Sequence, residues 1–150
     1  MSESLQPLTT VERAIALRKV DAFRGVPMEQ LTHIASVARD AWCPADTLLF
    51  KEGDPPGSLY VILEGRIQLK RVDVVLAEAV PHEPLGVWSL FDEHPRRATA
   101  AVVEDTRVIV LERDDFYDVL SEHVEVTRCL VQDLVKRLIE LTGLATKEAK

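Results

Sequence analysis

The hydrophobic repeat of this chain changes period twice, and that double change points to a β core bracketed by helices. Thr9-Thr10-Val11-Glu12 has the form of a capping box, with Thr9 as cap and Glu12 reaching back. It predicts a helix to about Val20, striped by Val11, Ala14 and Ile15. Pro27 fits a first helical position, and Met28, Leu31, Ile34, Ala35 and Ala38 carry a second helical stripe. From Arg39 the period becomes two. Short strands are predicted over 39–43, 47–50, 58–63, 66–70 and 74–80, with Lys51–Gly57 as a turn and Val72-Asp73 as a hairpin tip. A loop over 81–85 and a short helical turn within 86–92 precede strands 98–103 and 106–112, paired across Glu104-Asp105. Helical spacing returns at Arg113-Asp114-Asp115, whose acids suit a helix N-terminus. A longer helix follows over 123–142 and stops at Gly143.

This order of elements fits a mainly β fold, a double-sheet jelly-roll barrel with N-terminal helices and a C-terminal helix pair, although the pattern alone does not fix the strand order, which only the resemblance described below supplies. Residues 9–143 form the expected domain, with 1–8 and 144–150 as tails. Hydrophobic residues at 47% and charged residues at 29% suit a globular chain, and with only eight aromatics the core must be mostly Leu, Val, Ile and Ala.

The formal net charge of −7 argues against a nucleic-acid-binding surface spread over the domain, while leaving room for one local basic pocket. No apolar run reaches membrane-spanning length, and the N-terminal residues lack a signal-peptide core. Cys43 and Cys129 stand alone and read as small buried apolar residues in a reducing, cytoplasmic setting. His33, His82, His94 and His123 are scattered, without metal-ligand spacing. There is no Ser-His-Asp arrangement, nucleophilic cysteine or glycine-rich nucleotide-transfer loop, so no enzyme, metal or cofactor is expected.

Three stretches carry a resemblance. The first is Glu52-Gly53-Asp54 followed by Leu59-Tyr60-Val61-Ile62-Leu63-Glu64-Gly65-Arg66-Ile67. The second is Gly86-Val87-Trp88-Ser89-Leu90-Phe91, and the third is Pro95-Arg96-Arg97-Ala98-Thr99-Ala100. Together they resemble the cyclic-nucleotide-binding domain family, in its catabolite-activator-like and protein kinase A regulatory-subunit-like forms, over about residues 10–142. The resemblance implies that the second and third stretches are two ends of one phosphate-binding cassette. It implies cAMP or cGMP as ligand, with Gly86, Val87, Trp88, Ser89, Leu90, Arg96, Arg97 and Ala98 as the candidate set. Arg96 would be the phosphate ligand, helped by amides near Ser89 and Leu90, with Ala98 leaving room for the sugar. Arg97 stands where the family has a small residue and is expected to face solvent or a partner.

The same physics applies without the family. A glycine opening a helical turn can aim backbone N–H groups at an anion, and an arginine adds a planar fork of donors. One departure bears on affinity. Val87 stands where the family's acidic residue accepts a hydrogen bond from the ribose 2′-hydroxyl, and a lost charged hydrogen bond is worth about 1.5–3 kcal/mol. Trp88 is expected to pack into the core beneath the cassette, or else to narrow the pocket. His82 replaces an expected glycine and reads as an exposed loop residue.

Val124, Thr127, Val131, Leu134, Leu138 and Leu141 make a heptad-like seam. The helix 123–142 is then either wholly intramolecular or shared with a second copy in a homodimer. Two functions follow: a ligand-sensing regulatory domain signalling through this helix, and a degenerate, ligand-independent protein-interaction or dimerisation module. Only 144–150 follow the long helix, so direct DNA binding is not expected. Thr10-Val11-Glu12 is similar to versions fused to bacterial transport proteins, which implies an accessory domain of a larger membrane transport or signalling protein.

Overall fold

The computed structural model describes residues 6–143. The capping box forms as predicted: the Glu12 amide donates to Thr9 Oγ1 at 3.1 Å and the Thr9 amide donates to Glu12 Oε1 at 2.9 Å. Helix α1 spans Thr10–Arg18 and α2 spans Met28–Val37, joined by a 3₁₀ turn at Asp21–Phe23. Six strands follow: β1 (Arg39–Cys43), β2 (Leu48–Phe50), β3 (Ser58–Arg71), β4 (Val74–Ala79), β5 (Pro84–Leu85) and β6 (Thr99–Glu112). Helices α3 (Arg113–Glu122) and α4 (Val124–Thr142) end the described chain.

The strands form an antiparallel jelly-roll sheet in the order β1-β6-β3-β4, with β2 on β6 and β5 on β3. Two expectations need correction. Residues 58–63 and 66–70 are one strand, and so are 98–103 and 106–112, which do not pair with each other. The breaks seen in the sequence are irregularities within long strands, where the β3–β6 register shifts between Ile62 and Ile67. The hydrogen-bonded ladder is also open rather than a closed barrel, leaving β1 and β4 as edges. The residues expected as a loop contribute β5, which pairs Leu85 with Tyr60.

Strand alternation builds two cores, one on each face of the central strands. Leu59, Val61, Ile109 and Leu111 face the helices, packing with Leu17, Phe23, Leu31, Phe116 and Val126. Ile62, Val108 and Val110 face the sheet interior with Ile67, Leu85 and Val102. Cys43 and Cys129, expected as buried, are half-buried. Burial pushes the Cys43 thiol up, opposed by the Arg39 charge.

The described part of the expected N-terminal tail is tied down. Buried Arg107 donates from Nη2 to the Gln6 carbonyl at 2.8 Å and to Asp40 Oδ2 at 2.6 Å. Helix α4 lies over the body through buried Val126, and Arg137 donates to Asp21 Oδ2 at 2.9 Å. Most of its seam stays exposed, including Val131, Leu134, Leu138 and Leu141. Edge strand β4 is likewise bare, with Val74, Val75 and Leu76 exposed.

Gly65 lies at φ 99°, and an added Cβ would meet the Asp105 carbonyl at 2.7 Å and Thr106 Oγ1 at 2.3 Å. Gly65→Ala should cost about 2–3 kcal/mol through strain and clash. The melting temperature should fall by roughly 5–10 °C in a thermal scan.

Candidate functional site

The 3₁₀ turn Val87–Leu90 sets the site, because residues three apart in such a turn share a face. Val87 and Leu90 share the inward face and pack with the helix-side core. Ser89 and Trp88 are left for the other directions. Gly86 opens the turn at φ 84°, a left-handed conformation in which a Cβ would meet Arg96 Nη1 at 2.5 Å and the Ser58 carbonyl at 2.9 Å. Glycine is favoured here by the left-handed φ and the close Ser58 carbonyl, with the Arg96 guanidinium packed against the same position.

Arg96 turns inward and is 8% exposed. Its Nη1 donates to Ser89 Oγ at 2.7 Å and its Nη2 to the Ser58 carbonyl at 3.0 Å. Buried Nε has no partner. The guanidinium carbon sits 4.1 Å from the Phe50 ring centroid and 5.9 Å from that of Tyr60. No carboxylate forms an ion pair with it among the described residues. Burial pulls its pKa below the ordinary arginine value, partly offset by Tyr60, Asp54 and Glu112, yet a guanidinium keeps its charge in proteins. The site thus contains a largely desolvated cation satisfied only by neutral oxygens.

Two cavities meet at this side chain. The larger, about 640 Å³, is lined by Asp54, Glu112, Asp114 and Asp115, whose carboxylates oppose an anion. The smaller, about 180 Å³, is lined by Gly86, Trp88, Ser89, Arg96, Arg97 and Ala98, six of the eight residues expected from sequence. Val87 and Leu90 line neither cavity. Position 87 faces the core, so its side chain is not on this pocket wall. Trp88 does not pack into the core as expected; it is 77% exposed at the cavity's edge. The Ser89 amide is engaged by the Gly86 carbonyl at 2.9 Å, leaving the Ser89 hydroxyl as this residue's contact to Arg96.

Sequence reasoning missed three contributors. Phe50 supplies the ring under the guanidinium, and Ser58 a carbonyl. Arg113 donates from Nε and Nη2 to the Ser89 carbonyl at 3.0 and 2.8 Å and from Nη2 to the Asp92 carbonyl at 2.6 Å. It pins the cassette to the start of α3. These contacts join residues 24 and 38 positions apart in the chain, so no local pattern announces them. His82 is exposed, as expected, and takes φ 76°, a conformation glycine would adopt without strain.

The fold and the site combine a jelly roll, a glycine-opened turn and a buried arginine that forms no ion pair among the described residues. The chain belongs to the family described as "Cyclic nucleotide-binding domain", whose signature matches residues 41–123. It is similar to the "Cyclic AMP receptor protein" of Thermus thermophilus, with 31% identity over 85% of this chain and 63% of that protein. It is also similar to a "CRP-like cAMP-activated global transcriptional regulator" of Mycobacterium tuberculosis, with 24% identity over 81% of this chain and 57% of that protein. The N-terminal domain of a transcriptional regulator from Streptomyces coelicolor superposes with a TM-score of 0.74 at 29% identity, covering 87% of this chain and 94% of that one. The chain therefore spans 57–63% of the length of these two curated relatives.

Ser89→Ala removes the hydroxyl that Arg96 Nη1 donates to and leaves a buried charged donor unmet. The urea midpoint should fall by the equivalent of about 1–3 kcal/mol at an unchanged denaturant slope.

Proposed function

We propose that this chain is a regulatory domain that binds a 3′,5′-cyclic nucleotide in the smaller cavity and signals through α4. The carrying observation is the buried Arg96 guanidinium, which lacks an anionic partner and lines that cavity. A buried cation is costly until paired, so a phosphate entering there gains a pairing the empty protein does not make. A volume near 180 Å³ lies below the roughly 300–1,000 Å³ of typical ligand pockets. The proposed placement puts the phosphate and sugar within it, with the base directed past exposed Trp88 at the rim. Relatives named for cAMP support this nucleotide as the first ligand to test. Arg96, Ser89, Gly86, Arg97, Ala98 and Trp88 are the proposed contacts.

The proposed route outward runs through Arg113. It holds the carbonyls of Ser89 and Asp92 and begins α3, which leads into α4. A ligand that repositions Ser89 would load those bonds, and a coupling requires that difference in binding between two helix positions. The exposed α4 seam supports a homodimer, with the domain over 9–143 serving as sensor for a larger signalling or transport assembly.

Calorimetric titration should give binding heat with cAMP or cGMP, and Trp88 emission should change in a Trp42→Phe background. Arg96→Ala should weaken binding by at least about a hundredfold, consistent with loss of a charge-assisted, bidentate contact. No heat and no emission change up to millimolar nucleotide would remove the sensor reading in favour of a ligand-independent interaction module.

Leu134→Glu with Leu138→Glu places charges on the seam. Sedimentation should show a dimer for the parent chain and a monomer for this variant, with the melting temperature of the monomeric fold little changed.

A further inference from the structure

A 3′,5′-cyclic nucleotide carries a single free sugar hydroxyl, and a protein that selects ribose needs an acceptor for it. Residue 87 cannot be that acceptor, being a valine turned to the core. The smaller cavity has one carboxylate on its wall, that of Asp92. Asp92 follows the 3₁₀ turn immediately, its amide donating to the Trp88 carbonyl at 2.7 Å, so its backbone is fixed to the cassette. One carboxylate oxygen, Oδ1, accepts from the His94 amide at 3.0 Å. The other, Oδ2, faces Arg97 Nη2 at 3.9 Å, a long contact between side chains that are 48% and 66% exposed. Such a pair contributes little. Its exchange for a ligand hydroxyl is cheap, and it leaves Arg97 free to turn toward the phosphate.

We infer that Asp92 is the hydroxyl-selecting residue of this pocket, accepting from the ribose 2′-hydroxyl with Oδ2 while Arg96 holds the phosphate. The assignment rests on the cyclic-nucleotide reading above and adds a specificity element to it. It makes the pocket selective for ribose over deoxyribose without an acid at position 87.

The test is a titration of the full chain with cAMP and with 2′-deoxy-cAMP. The parent protein should prefer cAMP by roughly ten- to a hundredfold, the range for a hydrogen bond to a charged acceptor. Asp92→Ala should weaken cAMP by that factor and leave 2′-deoxy-cAMP unchanged, erasing the preference. Asp92→Asn, which keeps an acceptor for the His94 amide, should also lose affinity for the hydroxyl-bearing ligand alone. Equal weakening of both ligands in either variant, or a parent protein indifferent to the hydroxyl, overturns the assignment while leaving nucleotide binding intact. A parent protein that binds neither ligand overturns both this inference and the reading beneath it.

Discussion

The arrangement of this domain turns on one guanidinium kept largely out of water. Arg96 ties together three segments distant in sequence: the start of β3 through the Ser58 carbonyl, the cassette turn through Ser89, and β2 through the Phe50 ring. None of these partners is charged. Neutral oxygens and a ring face hold the cation in place, and the carboxylates of Asp54 and Glu112 offset its burial only in part, without forming an ion pair with it. Gly86 exists in its left-handed form to let that cation in. The fold thus uses a buried charge to join three distant segments, and the recognition proposed above would draw on the same side chain.

The sheet explains why so small a turn can be held so firmly. Strand β6 pairs with β1, β2 and β3, and its alternating residues serve both cores. The cassette lies against this two-sided platform through Val87 and Leu90, while Arg113, immediately after β6, clamps it from the other end. Core packing and cavity lining are separated by the threefold period of the turn. Residues 87 and 90 stabilise, and residues 86, 88 and 89 meet the cavity.

Much of this was legible in the sequence because it is written in local periods. The capping box, the helix spans, the hairpin tip at Val72-Asp73 and the Gly86-to-Arg96 interval all involve neighbours or a familiar spacing. What was not legible depends on the third dimension. The glycine and acidic pair that looked like strand ends are interruptions within longer strands, since register with a distant partner decides continuity. The inward turn of Val87 needs the 3₁₀ period rather than the α-helical one, and the outward Trp88 follows from the same fact. Phe50 and Arg113 had no local mark at all, their importance arising only where the chain returns to itself.

The bare rim along β4 carries a practical consequence. A six-residue strand paired only to β3, with its outer edge open and Val74, Val75 and Leu76 exposed along it, can template a neighbouring chain. Shortness and the single acid Glu78 are modest protection. In concentrated preparations this border, remote in purpose from the pocket, is where precipitation would nucleate, and its shielding sets how well the domain tolerates life apart from any covering assembly.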